Sequence, residues 1–327
     1  MKIIFFGNAD FGLEALAALI KSPKHSVLAI VVNPDKKINR NKKNKVNPIK
    51  QIGLDNNISI IEQDDISSKN FISKLKAFNA DIFLVIAYKV IPESVYTISR
   101  YGAVNLHASI LPEYRGAAPI QRALINGDEC TGLSTFFIND KIDRGKLIFQ
   151  KEVPIYSDDS FYDLWLRLSQ KGPETIFNTL DLVEKGETAL ISSRKVSSSY
   201  APKIDKKELY IDWHEDSLLL HNKIRAFSPY PCMYTYYKKV RFKIVSSNLA
   251  TDELDGNTSL AATFKFLDSG PPGSIYVIDG YRLCVECSVG FLEILELKPE
   301  SKKTMYAKDF INGFISKTDS KEINIFE

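Results

Sequence analysis

The chain has 327 residues, 44% hydrophobic and 25% charged, with a formal net charge of +3. That length favours two domains over one, the composition is that of a globular protein, and the charge is too small for a nucleic-acid packager, although a local basic patch remains open. Four cysteines exclude a disulfide scaffold, and the short apolar start MKIIFFG is neither a signal peptide nor a membrane span, so a reduced, cytoplasmic setting is expected.

Lys2 to Phe6 is an apolar run ending at Gly7 and reads as a buried first strand. Asp10 precedes a helical pattern from Phe11 to Ile20, whose Leu13, Leu16, Leu19 and Ile20 make an apolar face. Ser26 to Val32, Ile58 to Ile61 and Asp81 to Ile86 read as further strands, the last after a helix over about Ser68 to Phe78. Gly102 to Leu106 is a strand that delivers His107, and Pro119 to Asn126 begins the next helix. This alternation predicts an α/β domain with a Rossmann-like, mostly parallel sheet. Ligands on such sheets collect at the strand carboxyl ends, where Gly7, Ala87, His107 and the segment before Asp143 are expected.

Ser160 to Lys185 reads as a helix interrupted at Gly172-Pro173. The polar passage Ser192 to Lys207 then loses the apolar period and is the best domain boundary. After a helix around Ser217 to Ala226, short β-rich runs follow at Met233 to Tyr237, Val240 to Val245, Gly273 to Val277, Arg282 to Cys287 and Phe291 to Leu297. Five such strands read as a small, OB-like C-terminal barrel.

The chemistry concentrates between Val104 and Asp143. Asn105 stands two residues before His107, and Asp143 follows a second β-rich run, Thr131 to Ile138. An uncharged amide donor, an imidazole and a carboxylate brought together can hold a developing oxyanion and move a proton. That suits acyl transfer without a covalent enzyme intermediate; the bland alternative is a core histidine bonded to main chain. No G-x-S-x-G elbow is present, which disfavours a serine hydrolase. GNADFG, from Gly7 to Gly12, lacks the Lys-Ser/Thr of a P-loop and the middle glycine of a dinucleotide fingerprint, so a plain strand-to-helix turn is favoured. Cys284 and Cys287 form a C-x-x-C without partner ligands and read as strand cysteines; no metal is expected.

NLHASILPEYRGAAPIQRAL, with IDRG at Ile142 to Gly145, resembles the signature of the folate-dependent formyltransferases. The family's Asn-x-His-x-Ser and following Leu-Pro match at Asn105, His107, Ser109, Leu111 and Pro112, and its aspartate matches Asp143. The likeness extends to the family branch that formylates aminoacylated tRNA, through Asn33 to Lys50, Tyr200 to Ile204, Ile211 to Trp213, Ile224 to Thr235 and Leu295 to Lys303. Ala108 departs from the usual proline, Ile110 from a leucine, and Glu113-Tyr114 from a more basic pair. None of these removes a reacting group.

The resemblance implies transfer of a formyl group from 10-formyltetrahydrofolate to the amine of methionine on initiator tRNA, with no metal. It implies catalytic roles for Asn105, His107 and Asp143. It also implies folate contacts along Ile86, Ala87, Tyr88 and Pro92, at Ser109, Ile110, Leu111 and Pro112, and at Ile138 and Asn139. Residues 1–189 become a catalytic domain, 190–206 a linker, 207–317 a tRNA-binding barrel and 318–327 a tail. Lys36, Lys37, Arg40, Lys42 and Lys43 crowd one segment, which by itself reads as a solvated loop. With the resemblance it becomes a tRNA contact in which Arg40 matches the family's loop arginine. Lys238, Lys239 and Arg241 lie among aromatic residues and read equally as an edge guard or as a grip on nucleic acid. A monomer is expected, since no coiled-coil pattern demands assembly. The competing readings are a formyltransferase acting on a small amine and a non-catalytic RNA-binding protein.

Overall fold

The computed structural model describes residues 1–34, 47–187, 199–250, 270–315 and 324–327. They form two compact units: Met1–Pro119, Cys130–Pro154 and Leu164–Pro202 make the first, and Ile120–Glu129, Ile155–Asp163 and Lys203–Glu327 the second.

The first unit is built on β1 (Lys2–Gly7), β2 (Ser26–Val32), β3 (Ser59–Glu62), β4 (Ile82–Ile86), β5 (Ala103–His107), β7 (Cys130–Phe137) and β8 (Leu147–Pro154). These lie in the order β3-β2-β1-β4-β5-β7-β8. The first five run parallel, whereas β7 and β8 are antiparallel to their neighbours. A short pair outside this sheet, β6 (Arg115–Gly116) and β9 (Tyr200–Ala201), also runs parallel. All five residues of β4 and the last five of β1 are buried, as strands covered on both faces must be.

Ile4, Phe6, Val31, Phe83 and Val85 share one face and pack on Phe71 and Leu75 of α3 (Lys69–Ala77) and Val95 of α4 (Glu93–Tyr96). On the opposite face α1 (Leu13–Ile20), α2 (Pro48–Asp55) and α6 (Phe161–Lys185) cover the sheet. There a Cβ on Gly53 would meet the Ile30 side chain, and one on Gly172 would come to 3.7 Å from Ala15 and 3.9 Å from Leu106. Asn47 caps α2 through its side chain, with Pro48 opening the helix.

Three sequence expectations change. The helix expected to break at Gly172-Pro173 runs unbroken through both residues, because Leu164, Leu168, Gly172, Ile176 and Leu180 keep one buried stripe across the proline. Leu147–Pro154, unassigned from sequence, is an edge strand of the sheet. The passage 190–206, expected as a linker, contributes β9 to the first unit.

In the second unit β10 (Met233–Tyr237), β11 (Val240–Leu249), β12 (Ile275–Ile278), β13 (Arg282–Glu286) and β14 (Phe291–Pro299) form an antiparallel sheet. Its order is β10-β11-β14-β13-β12, and β15 (Met305–Tyr306) pairs with β14. The side chains of α7 (Ser217–Ala226) and α8 (Ala307–Phe310) complete a core with Trp213, Phe227, Tyr237, Phe242 and Phe326. Glu327 exchanges main-chain hydrogen bonds with Tyr236 of edge strand β10, and Asn324 and Phe326 bond Ile275 and Gly273 at the β12 edge. Residues 318–327 were expected as a tail; the described part, 324–327, joins the two sheet edges instead. Cys284 and Cys287 are buried strand-region thiols, and burial pushes each pKa up to about 12, so they stay protonated.

Candidate active site

Side chains alternate along a strand, so Asn105 and His107 share a face of β5 with Ala103. Asn105 is half-buried, and among the described residues its carboxamide has no hydrogen-bond partner. His107 is 7% exposed, with Nε2 at 2.9 Å from the Tyr114 carbonyl oxygen. A carbonyl only accepts, so Nε2 carries the hydrogen of the neutral ring. Nδ1 is left facing Asp143, whose Oδ2 lies 3.8 Å away. That gap is longer than a direct hydrogen bond.

Asp143 is held by other partners. The Gly116 amide donates to its Oδ2 at 2.8 Å, and Arg115 Nε donates to its carbonyl at 2.9 Å. Burial lowers the Arg115 guanidinium from its usual value, Arg144 adds to this and Asp143 opposes it. Tyr114 and Asp143 both sit at positive φ, +54° and +51°, a backbone state costly outside glycine. Two such residues on either side of one imidazole mark local strain at the place where chemistry is expected.

The approach of Asp143 differs from the sequence expectation. The segment before it was placed at the common carboxyl end of the strands, but β7 is antiparallel to β5. His107 therefore pairs with Ser134, while Phe137 lies beside Val104 and Ile138 bonds Ala103 at the start of β5. The residues after β7 fold back to return Asp143 to His107. Gly145 permits this hairpin, since a Cβ there would fall 1.5 Å from the Phe137 carbonyl oxygen.

The segment expected to meet folate follows β4. Ile86 is fully buried, Ala87 is exposed at φ +50°, and Pro92 opens α4. Among the described residues the main-chain groups of 88–91 have no hydrogen-bond partner. The Tyr88 hydroxyl is buried without a partner as well, and desolvation, with Asp64 adding, pushes its pKa up to about 12. A strand end with free amides, free carbonyls and a protonated phenol fits a flat heterocycle with alternating donors and acceptors.

Ser109, Ile110 and Leu111 are buried, and the Ser109 hydroxyl and both main-chain groups of Leu111 are spent internally. Ser109 Oγ donates to Glu113, the Leu111 amide to Ser134 Oγ, and Gln150 donates to the Leu111 carbonyl. Pro112 lies just beyond, also buried. Ile138 is half-buried and Asn139 exposed, its side chain tied to Lys141 and Arg144 main chain.

Lys36, Lys37, Arg40, Lys42 and Lys43 lie outside the described residues. Lys238 and Lys239 are the two-residue turn between β10 and β11, both at positive φ. Arg241 stands 4.4 Å from the Tyr234 ring centre and pairs across the ladder with Tyr236, as Lys243 does with Tyr234. A tyrosine–cation chequer thus faces outward from β10 and β11, since Met233, Thr235 and Tyr237 point inward. Sequence reasoning missed Tyr114, Arg115, Gly116 and Ser199 as partners of the central trio. Arg115-Gly116 stood within the quoted motif; Ser199 lies in a serine-rich passage with nothing to distinguish it.

Among the described residues no group of histidine, cysteine, aspartate and glutamate could hold a metal ion, and no helix is long and apolar enough to cross a membrane. The family model described as formyl transferase matches residues 1–180, and that for the formyl transferase C-terminal domain matches 203–315. A methionyl-tRNA formyltransferase of Thermodesulfovibrio yellowstonii is 37% identical over 314 residues, covering 95% of each chain. One from Coxiella burnetii is 34% identical, covering 96% of this chain and 95% of its own. The fold resembles a sugar 3N-formyl transferase crystallised in the presence of dTDP and 5-N-formyl-THF, with a TM-score of 0.62, 19% identity and 93% and 99% coverage. Identity of this degree over nearly the full length shows that the chain belongs to the formyl transferases, alongside the methionyl-tRNA formyltransferases.

Proposed function

We propose that this chain transfers the formyl group of 10-formyltetrahydrofolate to the α-amino group of methionyl initiator tRNA, with Asn105, His107 and Asp143 as its catalytic residues. The observation that carries the assignment is the approach of Asp143 Oδ2 to His107 Nδ1, on the strand whose Asn105 carboxamide has no partner among the described residues. Folate supplies an electrophilic one-carbon carbonyl. The acceptor is an α-amino group, which titrates near ~7.7–8.0 and so is partly neutral without a strong base. Asn105 donates to the oxygen as negative charge builds there. His107 accepts the amine proton at Nδ1, and Asp143 stabilises the resulting imidazolium. The proton then passes to the leaving nitrogen as its bond to carbon breaks, and the new amide is complete.

The main chain of 88–91, without hydrogen-bond partners among the described residues, is with the Tyr88 hydroxyl the proposed edge for folate, and Ile138 and Asn139 are proposed to add to it. Ser109 to Pro112 would back that surface, the Ser109 hydroxyl and the Leu111 main chain having their hydrogen bonds already used. For tRNA, the outward Tyr234, Tyr236 and Arg241, with Lys238 and Lys239 at the turn, offer stacking faces and phosphate partners. The alternative role, guarding an exposed edge, is weakened because Glu327 already occupies the β10 edge. The basic residues 36–43 would add to that grip. We assign catalysis to 1–189 and tRNA holding to 207–317, in a monomer working in the cytoplasm.

The test supplies purified protein with 10-formyltetrahydrofolate and either methionyl initiator tRNA or small amines. Formylmethionyl-tRNA is the expected product. Asn105→Ala and His107→Ala should each lower its turnover by roughly two to three orders of magnitude, as loss of an oxyanion donor does. Wild-type turnover in both variants would remove the catalytic assignment, and exclusive formylation of a small amine would remove tRNA as the substrate.

A further inference from the structure

The imidazole and carboxylate of the proposed site are not positioned by each other. Both are held by three consecutive residues, 114–116, two of them through main chain and Arg115 through its side chain. The Tyr114 carbonyl receives His107 Nε2, the Gly116 amide holds Asp143 Oδ2, and Arg115 Nε bonds the Asp143 carbonyl. What holds these three residues is β9 and the serine ahead of it. Ser199 Oγ accepts the Tyr114 amide at 2.8 Å, and the Ser199 carbonyl accepts the Arg115 amide at 3.1 Å. The Ala201 carbonyl accepts the amides of Ala117 and Ala118. At Gly116, with φ +123°, a Cβ would lie 2.5 Å from that same Ala201 oxygen, so the two segments touch main chain to main chain.

We propose that Ser199 is a positioning residue for formyl transfer, acting on His107 through Tyr114; the proposal rests on the catalytic assignment of His107 made above. Tyr114 is at φ +54°, a conformation that a tyrosine leaves readily unless its amide and carbonyl are both engaged. Its carbonyl shares a peptide plane with the Arg115 amide, which the Ser199 carbonyl accepts, and its own amide, in the preceding plane, is held by the Ser199 hydroxyl. The two bonds together fix the residue with its carbonyl on His107. With the carbonyl in place, Nε2 keeps the hydrogen and Nδ1 is the nitrogen left with a lone pair, on the side of Asp143. With the hydroxyl gone, only the Arg115 amide still ties this turn to Ser199, the positive φ of Tyr114 can relax, and its carbonyl shifts off Nε2. His107 is then free to populate the other tautomer, in which Nδ1 bears hydrogen and cannot take a proton. A passage that reads as a plain serine-rich connector thereby decides which imidazole nitrogen does the work.

The experiment is a double-mutant cycle on the full chain, using formylation of methionyl initiator tRNA with folate saturating. Ser199→Ala should lower kcat roughly tenfold, the cost of one lost hydrogen bond at a site where it governs protonation, with KM for folate within about twofold of wild type. The acidic limb of its kcat–pH profile should move, while Ser199→Thr, which keeps the hydroxyl, should restore both rate and profile. In the His107→Ala background Ser199→Ala should change kcat by less than about twofold, because the group it positions is absent. An equal tenfold loss in that background, or wild-type kcat and pH profile for Ser199→Ala, overturns the proposal. Should Ser199→Ala fail to fold, Ser199→Cys, a weaker acceptor, is read in the same cycle with the same criteria. Full turnover by His107→Ala alone is a separate failure, that of the catalytic assignment.

Discussion

At the scale of single residues, the proposed site separates the groups assigned to react from the groups that hold them in place. Among the described residues the Asn105 carboxamide has no hydrogen bond to give up, so its donors are available to a developing oxyanion. Asp143 is anchored through Gly116 and Arg115, not through His107. It follows that Asp143→Asn should keep its place, because a carboxamide oxygen still accepts the Gly116 amide, while the charge facing Nδ1 is lost. Turnover should fall roughly ten- to hundredfold, less than where a carboxylate also fixes the tautomer, since here the Tyr114 carbonyl does that. Steady-state kinetics with a melting curve check this: a loss matching that of His107→Ala, or a collapsed fold, contradicts it. The three groups proposed to react were legible in the sequence because their chemistry resides in side chains. It hid Tyr114 and Ser199 because their part is played by a carbonyl and by one hydroxyl among several serines.

At the scale of elements, the β10–β11 hairpin shows a local rule broken. Two-residue turns with positive φ at both positions favour Asn-Gly, yet Lys238 and Lys239 occupy them. The penalty is borne while Lys238 sits 5.5 Å from the Tyr237 ring and both ammonium groups stand at the tip. Replacing them with Asn and Gly should raise the melting temperature by a few degrees, since relief of such strain is worth on the order of 1 kcal/mol. The same double variant should raise KM for methionyl-tRNA several-fold and flatten its salt dependence by about two counterions, leaving KM for folate unchanged. Unaltered tRNA kinetics would return the lysines to a purely structural role. The α6 helix makes the opposite point. Pro173 predicted a break from local chemistry, and the stripe from Leu164 to Leu180 overrode it, because packing on both sides outweighs one missing donor.

At the scale of the whole molecule, the chain builds two units with separate cores, and the second is closed by residues far along the sequence. Phe326 is 1% exposed, stacks on Trp213 at 5.8 Å and Phe310 at 5.7 Å, and sits between main-chain bonds to both sheet edges. Phe326→Ala should cost about 3–5 kcal/mol of stability in the second unit, as buried aromatic truncations do. Chemical denaturation followed through the tryptophans reads that loss, and folate binding by the first unit should persist. Concerted loss of both would show that the units stand or fall together.

Taken by itself, the sequence determined the alternation of strands and helices and the two-part organisation, and it singled out Asn105, His107 and Asp143 as the candidate trio. Each of these is written in local periodicity or in side-chain identity, and both survive in a linear string. Tertiary structure alone decided that β7 runs against β5, so that Asp143 returns over the sheet to reach His107. It also decided that a segment read as a linker carries the serine behind the imidazole, and that residues read as a tail join the edges of the second sheet. These depend on main-chain hydrogen bonds between segments up to about ninety residues apart, such as Tyr236 and Glu327. Every residue carries the same amide and carbonyl, so nothing in the identity of a residue announces which distant partner its backbone will meet.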